Sequence, residues 1–292
     1  MQKSFAFDWI RVTTKDHNPM QMVNEFAWGL DIEGWKATKP KSGYTHALLH
    51  PWGHSVFWHI DRSEMGVNIM FTGRACNELY ENGIDVLALI KDLSERNFRF
   101  TRLDLALDVK EVKIDIVALL DCEHSGSINN DPVLFQKGAK ARGGATLYCG
   151  SWTSDKFMRI YDKAKERGLK DVLWTRIEIQ LAGRTATKVA KQMCSMTELE
   201  CGMFTQRLIK GMYNPENEVF QMALDGSPER VSSTKNEEHN TYEWLMSVVA
   251  KTLARTIIEL PHRDVMTTFE KEVQKHIREM ASHALLKNKS VD

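Results

Sequence analysis

The stretch Thr101-Arg102-Leu103-Asp104-Leu105-Ala106-Leu107-Asp108-Val109 places an apolar residue at every second position. A period of two belongs to a β-strand. Leu103, Leu105, Leu107 and Val109 then share one face, and Arg102, Asp104 and Asp108 share the other. Thr175 to Leu181 repeats the pattern, with Arg176, Glu178 and Gln180 on its polar side. Lys156 to Lys163 puts Phe157, Arg159, Tyr161 and Lys163 on one side. Three such strands require a sheet with one face against an apolar core. An amphipathic sheet with one wet face accounts for the alternation alone. It does not account for the short carboxylates, because Asp is disfavoured in strands and like charges on one face repel unless a cation lies between them.

The rest of the chain fits a mixed sheet-and-helix pattern. SFAFDWIRVTT reads as a strand and residues 19–29 as a helix; GYTHALLH, SVFWHI and GVNIMFTG read as three short strands separated by turn signals. Residues 77–97 read as helix broken near Gly83, and a further helix is expected near Ile114 to Leu120. Strands follow at PVLFQK, ATLYCG, KFMRIYDK and VLWTRIEIQL, then a helix at ATKVAKQMC. Two RRM-like rounds of strands and helices predict an α+β fold, an antiparallel sheet with helices on one face. Residues 213–240, rich in Asn, Pro, Ser, Glu and Gly, read as a linker or long loop. Asn240 with Glu243 looks like a helix start, and Val265, Phe269, Val273 and Ile277 recur every four residues. The expected organisation is a catalytic domain over 1–212, a linker over 213–240 and a helical region over 241–292.

Bulk properties narrow the function. The 292 residues are 42% hydrophobic and carry no net charge. No apolar run reaches the roughly 18 to 20 residues of a membrane helix, and Asp8 and Arg11 interrupt any signal-peptide core. The five cysteines form no CxxC pair, which points to a reduced, cytoplasmic protein without a cysteine zinc site. Charge is nevertheless uneven: Lys137 to Lys170 holds nine basic and three acidic residues, an excess of six. A local patch of this kind can steer an anion although the whole chain is neutral.

If the three strands are neighbours, their polar faces bring together carboxylates for a hard divalent metal, a tyrosine hydroxyl, and the cations Arg159, Lys163 and Arg176. That set suits phosphoryl transfer. A metal polarises a phosphate oxygen, cations offset charge in the transition state, and Arg159 or Lys163 beside Tyr161 is expected to favour its phenolate. Attack by tyrosine on a DNA phosphate leaves a phosphotyrosine and a free 3′ hydroxyl, so the strand can later be rejoined.

The segments FTRLDLALDV, TLYCGSWTSDKFMRIYDKAKE and LWTRIEIQL, in this order within residues 100–181, resemble the replication initiators of small staphylococcal rolling-circle plasmids and the related relaxases of some conjugative elements. The Arg-Ile-Tyr-x-Lys strand is the most specific match; a weaker likeness in GVNIMFTGRACNEL extends back to Gly66, and the C-terminal region shows none. The resemblance implies that Tyr161 links to DNA and that Asp104 and Glu178, with Asp108 as a third candidate, bind Mg²⁺ or Mn²⁺. It also implies an origin hairpin in plasmid or phage DNA as partner and action as a homodimer. Arg102, Lys156, Lys165 and Trp152 are candidate DNA contacts, Trp152 by stacking on a base. There is no Walker-type motif, so a host helicase is expected to open the duplex. No helix-turn-helix extension precedes the strands, which favours replication over conjugation.

Other readings remain open. Tyr148 is a rival nucleophile without flanking Arg and Lys. His46, His50, His54 and His59 are expected to be structural rather than zinc ligands. A metal nuclease using water, or a DNA-binding regulator without chemistry, would use the same strands differently.

Overall fold

A computed structural model describes residues 1–28, 34–127, 132–136, 145–231, 250–259 and 264–275. They divide into two compact units, 1–233 and 234–292.

The first unit is built on one ten-stranded sheet. Its strands are β1 (Gln2–Thr14), β2 (Lys36–Ala37), β3 (His46–Leu49), β4 (Ser55–Trp58), β5 (Val67–Phe71), β6 (Arg99–Lys110), β8 (Val133–Gln136), β9 (Ala145–Cys149), β10 (Lys156–Asp162) and β11 (Trp174–Ala182). The order is β2-β3-β4-β5-β1-β6-β11-β10-β9-β8, and every pairing is antiparallel. The two expected rounds of strands are therefore one continuous sheet, joined where β6 meets β11. A short separate pair joins β7 (His124–Ser125) to β12 (Asn214–Pro215).

The apolar face carries Leu103, Leu105, Leu107 and Val109 as the alternation requires, all essentially inaccessible to solvent. They share one core with helices α1 (Pro19–Glu25), α2 (Gly73–Glu81), α3 (Val86–Glu95), α5 (Gly183–Met193) and α6 (Glu198–Met212). Each buried Leu or Ile there contributes about 1.5–3 kcal/mol. The break between α2 and α3 falls at Gly83, whose φ of +72° suits a residue without a Cβ. α6 was not anticipated. Thr197 and Glu200 form a reciprocal capping box at its start, a legible signal.

Two expectations are corrected. The helix near Ile114 to Leu120 is a short 3₁₀ turn at Ala118–Asp121. The proposed linker belongs, from 213 to 231, to the first unit. Tyr213, Phe220, Ala223, Leu224 and Val231 are buried there, and α7 (Glu218–Met222) is capped by Asn217. The segment is polar in composition, yet it places an apolar residue wherever it touches the core. It passes so close to α6 that a Cβ at Gly211 would collide with the Glu229 backbone. The expected helix start at Asn240 lies outside the described residues.

In the second unit, α8 (Ala250–Glu259) and residues 265–275 are helical. Among the described residues no helix is long and apolar enough to cross a membrane.

Of the four histidines singled out above, His50 and His54 are buried and stacked, ring centroids 4.1 Å apart. They bond the carbonyls of Ala27 and Phe26, which places them as structural residues. Burial pulls the His54 imidazole down to about 3, from an ordinary value of 6.5. The unfolded chain therefore takes up a proton that the folded chain refuses. Stability is complete above pH 6.5 and falls by about 1.4 kcal/mol per pH unit as pH drops toward the folded value. Thermal melting at a series of pH values below 6.5 should show this slope in the wild type and a shallower one in His54→Phe; equal slopes would rule the effect out.

Candidate active site

The polar face of the sheet centre is not wet. Asp104, Asp108, Arg176 and Glu178 are all less than 7% exposed. The register explains why they can be buried. Across β10 and β11, Arg159 stands opposite Glu178 and Tyr161 opposite Arg176. Across β11 and β6, Arg176 stands opposite Asp108 and Gln180 opposite Asp104. Directly opposed residues of unlike charge stabilise a sheet, and each buried carboxylate here meets an arginine.

Two chains of ion pairs result. Arg176 donates from Nε and Nη2 to the two oxygens of Asp108, both at 2.7 Å, and from Nη1 to Asp8. Arg102 donates from Nε to Asp104 at 2.8 Å, and its guanidinium lies 4.4 Å from the Trp9 ring. Arg159 reaches Asp104 at 3.5 Å and binds Glu178 closely.

Asp8 has no counterpart in the sequence reading. It is placed by a β-bulge in β1: the register with β6 slips between Phe7 and Trp9. A bulge re-aims a side chain, and here both Asp8 and Trp9 face the polar side. The signal was present in the strand, where the apolar phase runs 5, 7 and then shifts to 10, 12.

The polar face opens into a cleft of about 800 Å³, floored by Asp8, Glu178, Arg159 and Tyr161 and walled by α2 and α4 (Lys163–Glu166). Tyr161 is half-buried near the end of β10. Its hydroxyl donates to Glu178 Oε2 at 3.2 Å and accepts from Lys163 Nζ at 3.5 Å. β10 ends because Asp162 caps α4, its side chain accepting from the Lys165 N–H at 2.8 Å. The turn that follows brings the Lys163 ammonium to 5.4 Å from the Tyr161 ring centre, where Glu166 also pairs with it.

The electrostatics differ from expectation at the tyrosine. Burial raises the Tyr161 hydroxyl well above its ordinary value, and Glu178 raises it further; Arg176 offsets only part. Tyr161 is thus held as the neutral phenol. Burial also pushes the Asp104 carboxyl up to about 7, although Arg102 holds it down. Burial and the nearby Glu178 raise Asp8, against the lowering effect of Arg176.

The three carboxylates expected to bind a metal do not gather in one open site. Among the described residues no group of three His, Cys, Asp or Glu side chains is placed to hold a metal. Asp108 is committed to Arg176. Asp104 is wholly buried and paired with arginines rather than lining the cleft. Six carboxylates among the described residues line it: Asp8 and Glu178 from the sheet, and Glu78, Glu81, Asp162 and Glu166 from the helical walls and the α4 cap.

The expected DNA contacts also separate. Arg102 lines the cleft. Lys156 lies elsewhere, its ammonium spent on the Val231 carbonyl at 2.9 Å. Lys165 is exposed beside Asp162 at 3.6 Å. Trp152 is 65% exposed on the turn between β9 and β10. Tyr148 stands opposite Arg159 and lines the cleft. Lys137, Lys140 and Arg142 of the basic stretch lie outside the described residues.

The sequence pattern of the replication initiation factor family matches residues 98–277, a span that takes in β6, β10 and β11. The chain belongs to the replication initiation factor family. It is 25% identical over 202 residues to the NicK protein of Bacillus subtilis (strain 168), whose name places it among DNA relaxases. That match covers 61% of this chain and spans only 55% of the relative. The fold is shared with a rolling circle replication initiator protein from Geobacillus stearothermophilus, with a TM-score of 0.61, 21% identity, and coverage of 82% of this chain and 91% of that one.

Proposed function

We propose that this family member nicks and rejoins one DNA strand through Tyr161, initiating rolling-circle replication of a plasmid or phage. The observation that carries the reading is the Tyr161 hydroxyl, set in the cleft between a carboxylate and an ammonium group. The phenolic oxygen attacks a backbone phosphorus. An O–P bond forms to Tyr161, and the P–O3′ bond breaks. The tyrosine proton passes to Glu178 Oε2, which already accepts it in a hydrogen bond, and the 3′ oxygen leaves as a hydroxyl after taking up a proton from solvent water in the cleft. Reversal of the same steps reseals the strand. Arg159 and Lys163 stand where charge builds on the phosphate oxygens. Arg176 acts one layer deeper, holding Asp8 and Asp108 in place.

Asp8 and Glu178 would hold a divalent cation, because their carboxylates face one cleft, with the ion displacing part of their present pairing to Arg176 and Arg159. One or two carboxylates plus substrate phosphate are sufficient for Mg²⁺, and the ion would supply Lewis-acid polarisation of the phosphate when bound. On the same reading the chain acts on origin DNA as a homodimer, with a host helicase to open the duplex.

The reading is tested by incubating the protein with supercoiled DNA of its own replicon, with and without Mg²⁺ or Mn²⁺, then denaturing and probing for protein on a 5′ DNA end. Metal-dependent attachment is expected. Cutting without attachment would assign a water nuclease instead, and binding without cutting a regulator. In the same assay Glu178→Gln should slow nicking by about 10²–10⁴-fold, the usual contribution of a positioned base. An unchanged rate would remove Glu178 from the mechanism.

A further inference from the structure

Trp152 packs against Tyr148, a residue of the cleft wall, and the proposed chemistry leaves it unused. It is 65% exposed, yet its ring is propped from below. Its centroid lies 4.4 Å from Phe157 and 4.7 Å from Tyr148. Phe157 is fully buried under these neighbours. The turn that carries Trp152 is held locally. Gly150 adopts φ +93°, the Ser154 N–H bonds the Ser151 carbonyl at 3.0 Å, and the Ser151 and Thr153 hydroxyls are 3.0 Å apart. The indole thus rests against Tyr148 and Phe157 while most of its surface stays in water. A large apolar surface has been left in water in a defined orientation.

The strand register ties this ring to the reactive hydroxyl. Phe157, Arg159 and Tyr161 alternate along the same face of β10, and Tyr148 stands opposite Arg159. Tyr161 and Phe157 are four residues apart, about 13 Å along a strand. Tyr148 belongs both to the cleft wall and to the aromatic stack, so the stack continues the cleft outward. On the cleft side lie Arg159, Lys163 and Arg167 among the carboxylates of Glu78, Glu81, Asp162 and Glu166; Arg159 and Lys163 already pair with Glu178 and Glu166, and the exposed Arg167 can meet a backbone. Cations tracking phosphates beside an aromatic face are the two components of a single-strand site, and every base has a π-face to stack.

We propose that Trp152, supported by Tyr148 and Phe157, is the stacking platform for an unpaired base of the DNA strand whose phosphate lies at Tyr161. This deepens the nicking assignment and rests on it for the occupant. The platform acts in binding, by holding the strand splayed beside the cleft. Because the indole already packs on two rings, less side-chain freedom is lost when a base settles on it. Stacking is tolerant of base identity, so the platform selects single strands over duplex and leaves sequence choice to other parts of the protein.

The test uses binding alone, in the full-length Tyr161→Phe protein, so that no strand is cut. The probe is a set of mixed-sequence single-stranded oligonucleotides carrying one fluorescent base analogue, compared with the same sequences fully paired. Quenching of the analogue is expected on binding the single strand. Adding Trp152→Ala should abolish that quenching and weaken single-strand affinity on the order of 10-fold, whereas Trp152→Phe should keep most of both. Duplex affinity should not change. Far-ultraviolet circular dichroism melts check that the exposed substitution leaves the fold intact. The proposal is overturned if Trp152→Ala binds the single strand like its parent, if duplex binding weakens equally, or if the parent quenches no analogue. None of these outcomes depends on attachment, so the platform and the nucleophile can fail separately.

Discussion

Tyr161→Phe should lose covalent attachment to DNA altogether, with nicking reduced on the order of 10⁴-fold or more, as when an activated nucleophile is removed. The substitution deletes one oxygen. It costs the hydrogen bonds to Glu178 at 3.2 Å and from Lys163 at 3.5 Å, but the ring keeps its place near the end of β10 and its cation–π contact with Lys163. Binding of DNA should therefore survive. Tyr148→Phe is the necessary companion, because Tyr148 lines the same cleft. It should retain attachment, since the proton-accepting carboxylate lies at Tyr161 and the ammonium donor is two residues along the chain from it. Both variants are read on denaturing gels with end-labelled DNA. Attachment persisting in Tyr161→Phe, or vanishing only in Tyr148→Phe, would move the nucleophile.

The second large effect is on stability. Arg176→Leu should lower stability by about 3–5 kcal/mol, because removing one partner of a buried pair leaves uncompensated charge. Here two carboxylates are left, Asp108 with its two 2.7 Å bonds and Asp8. The melting temperature should fall on the order of 10 °C. The double variant Arg176→Leu with Asp108→Leu should recover part of the loss, a coupling that only neighbouring residues show. A single variant melting within a degree or so of wild type would mean that the ion network carries no net stability. Nicking should be impaired in the single variant even when it is folded, since Asp8 is no longer held.

The strands bearing Asp104, Tyr161 and Glu178 were legible because alternation over seven or more residues has one structural solution. Their adjacency was not legible from the residues, because a period of two says which face a side chain takes and nothing about its neighbour. For that reason Asp108 looked like a free ligand until the register set it opposite Arg176. Asp8 was hidden for a different cause. A bulge adds one residue to a strand, and its only trace is a one-position slip in the apolar phase. Alternation by itself is equally compatible with a solvated polar face, yet these charges are buried because arginine and carboxylate alternate across three strands. That complementarity exists only once the strands are paired. The segment 213–231 misled through its composition. Its few apolar residues are the ones that matter, and Tyr213 and Phe220 are both buried.

Tyr161 stands on β10, which is hydrogen-bonded to β9 on one side and β11 on the other. A DNA end joined there would be anchored to the interior of the sheet and not to a loop. Tension on that strand, from a polymerase extending it or a motor unwinding ahead of it, would be shared among parallel rows of backbone hydrogen bonds loaded together. Such an attachment yields little under pull. The tethered 5′ phosphate would stay in register with Glu178 while the replicating DNA moves.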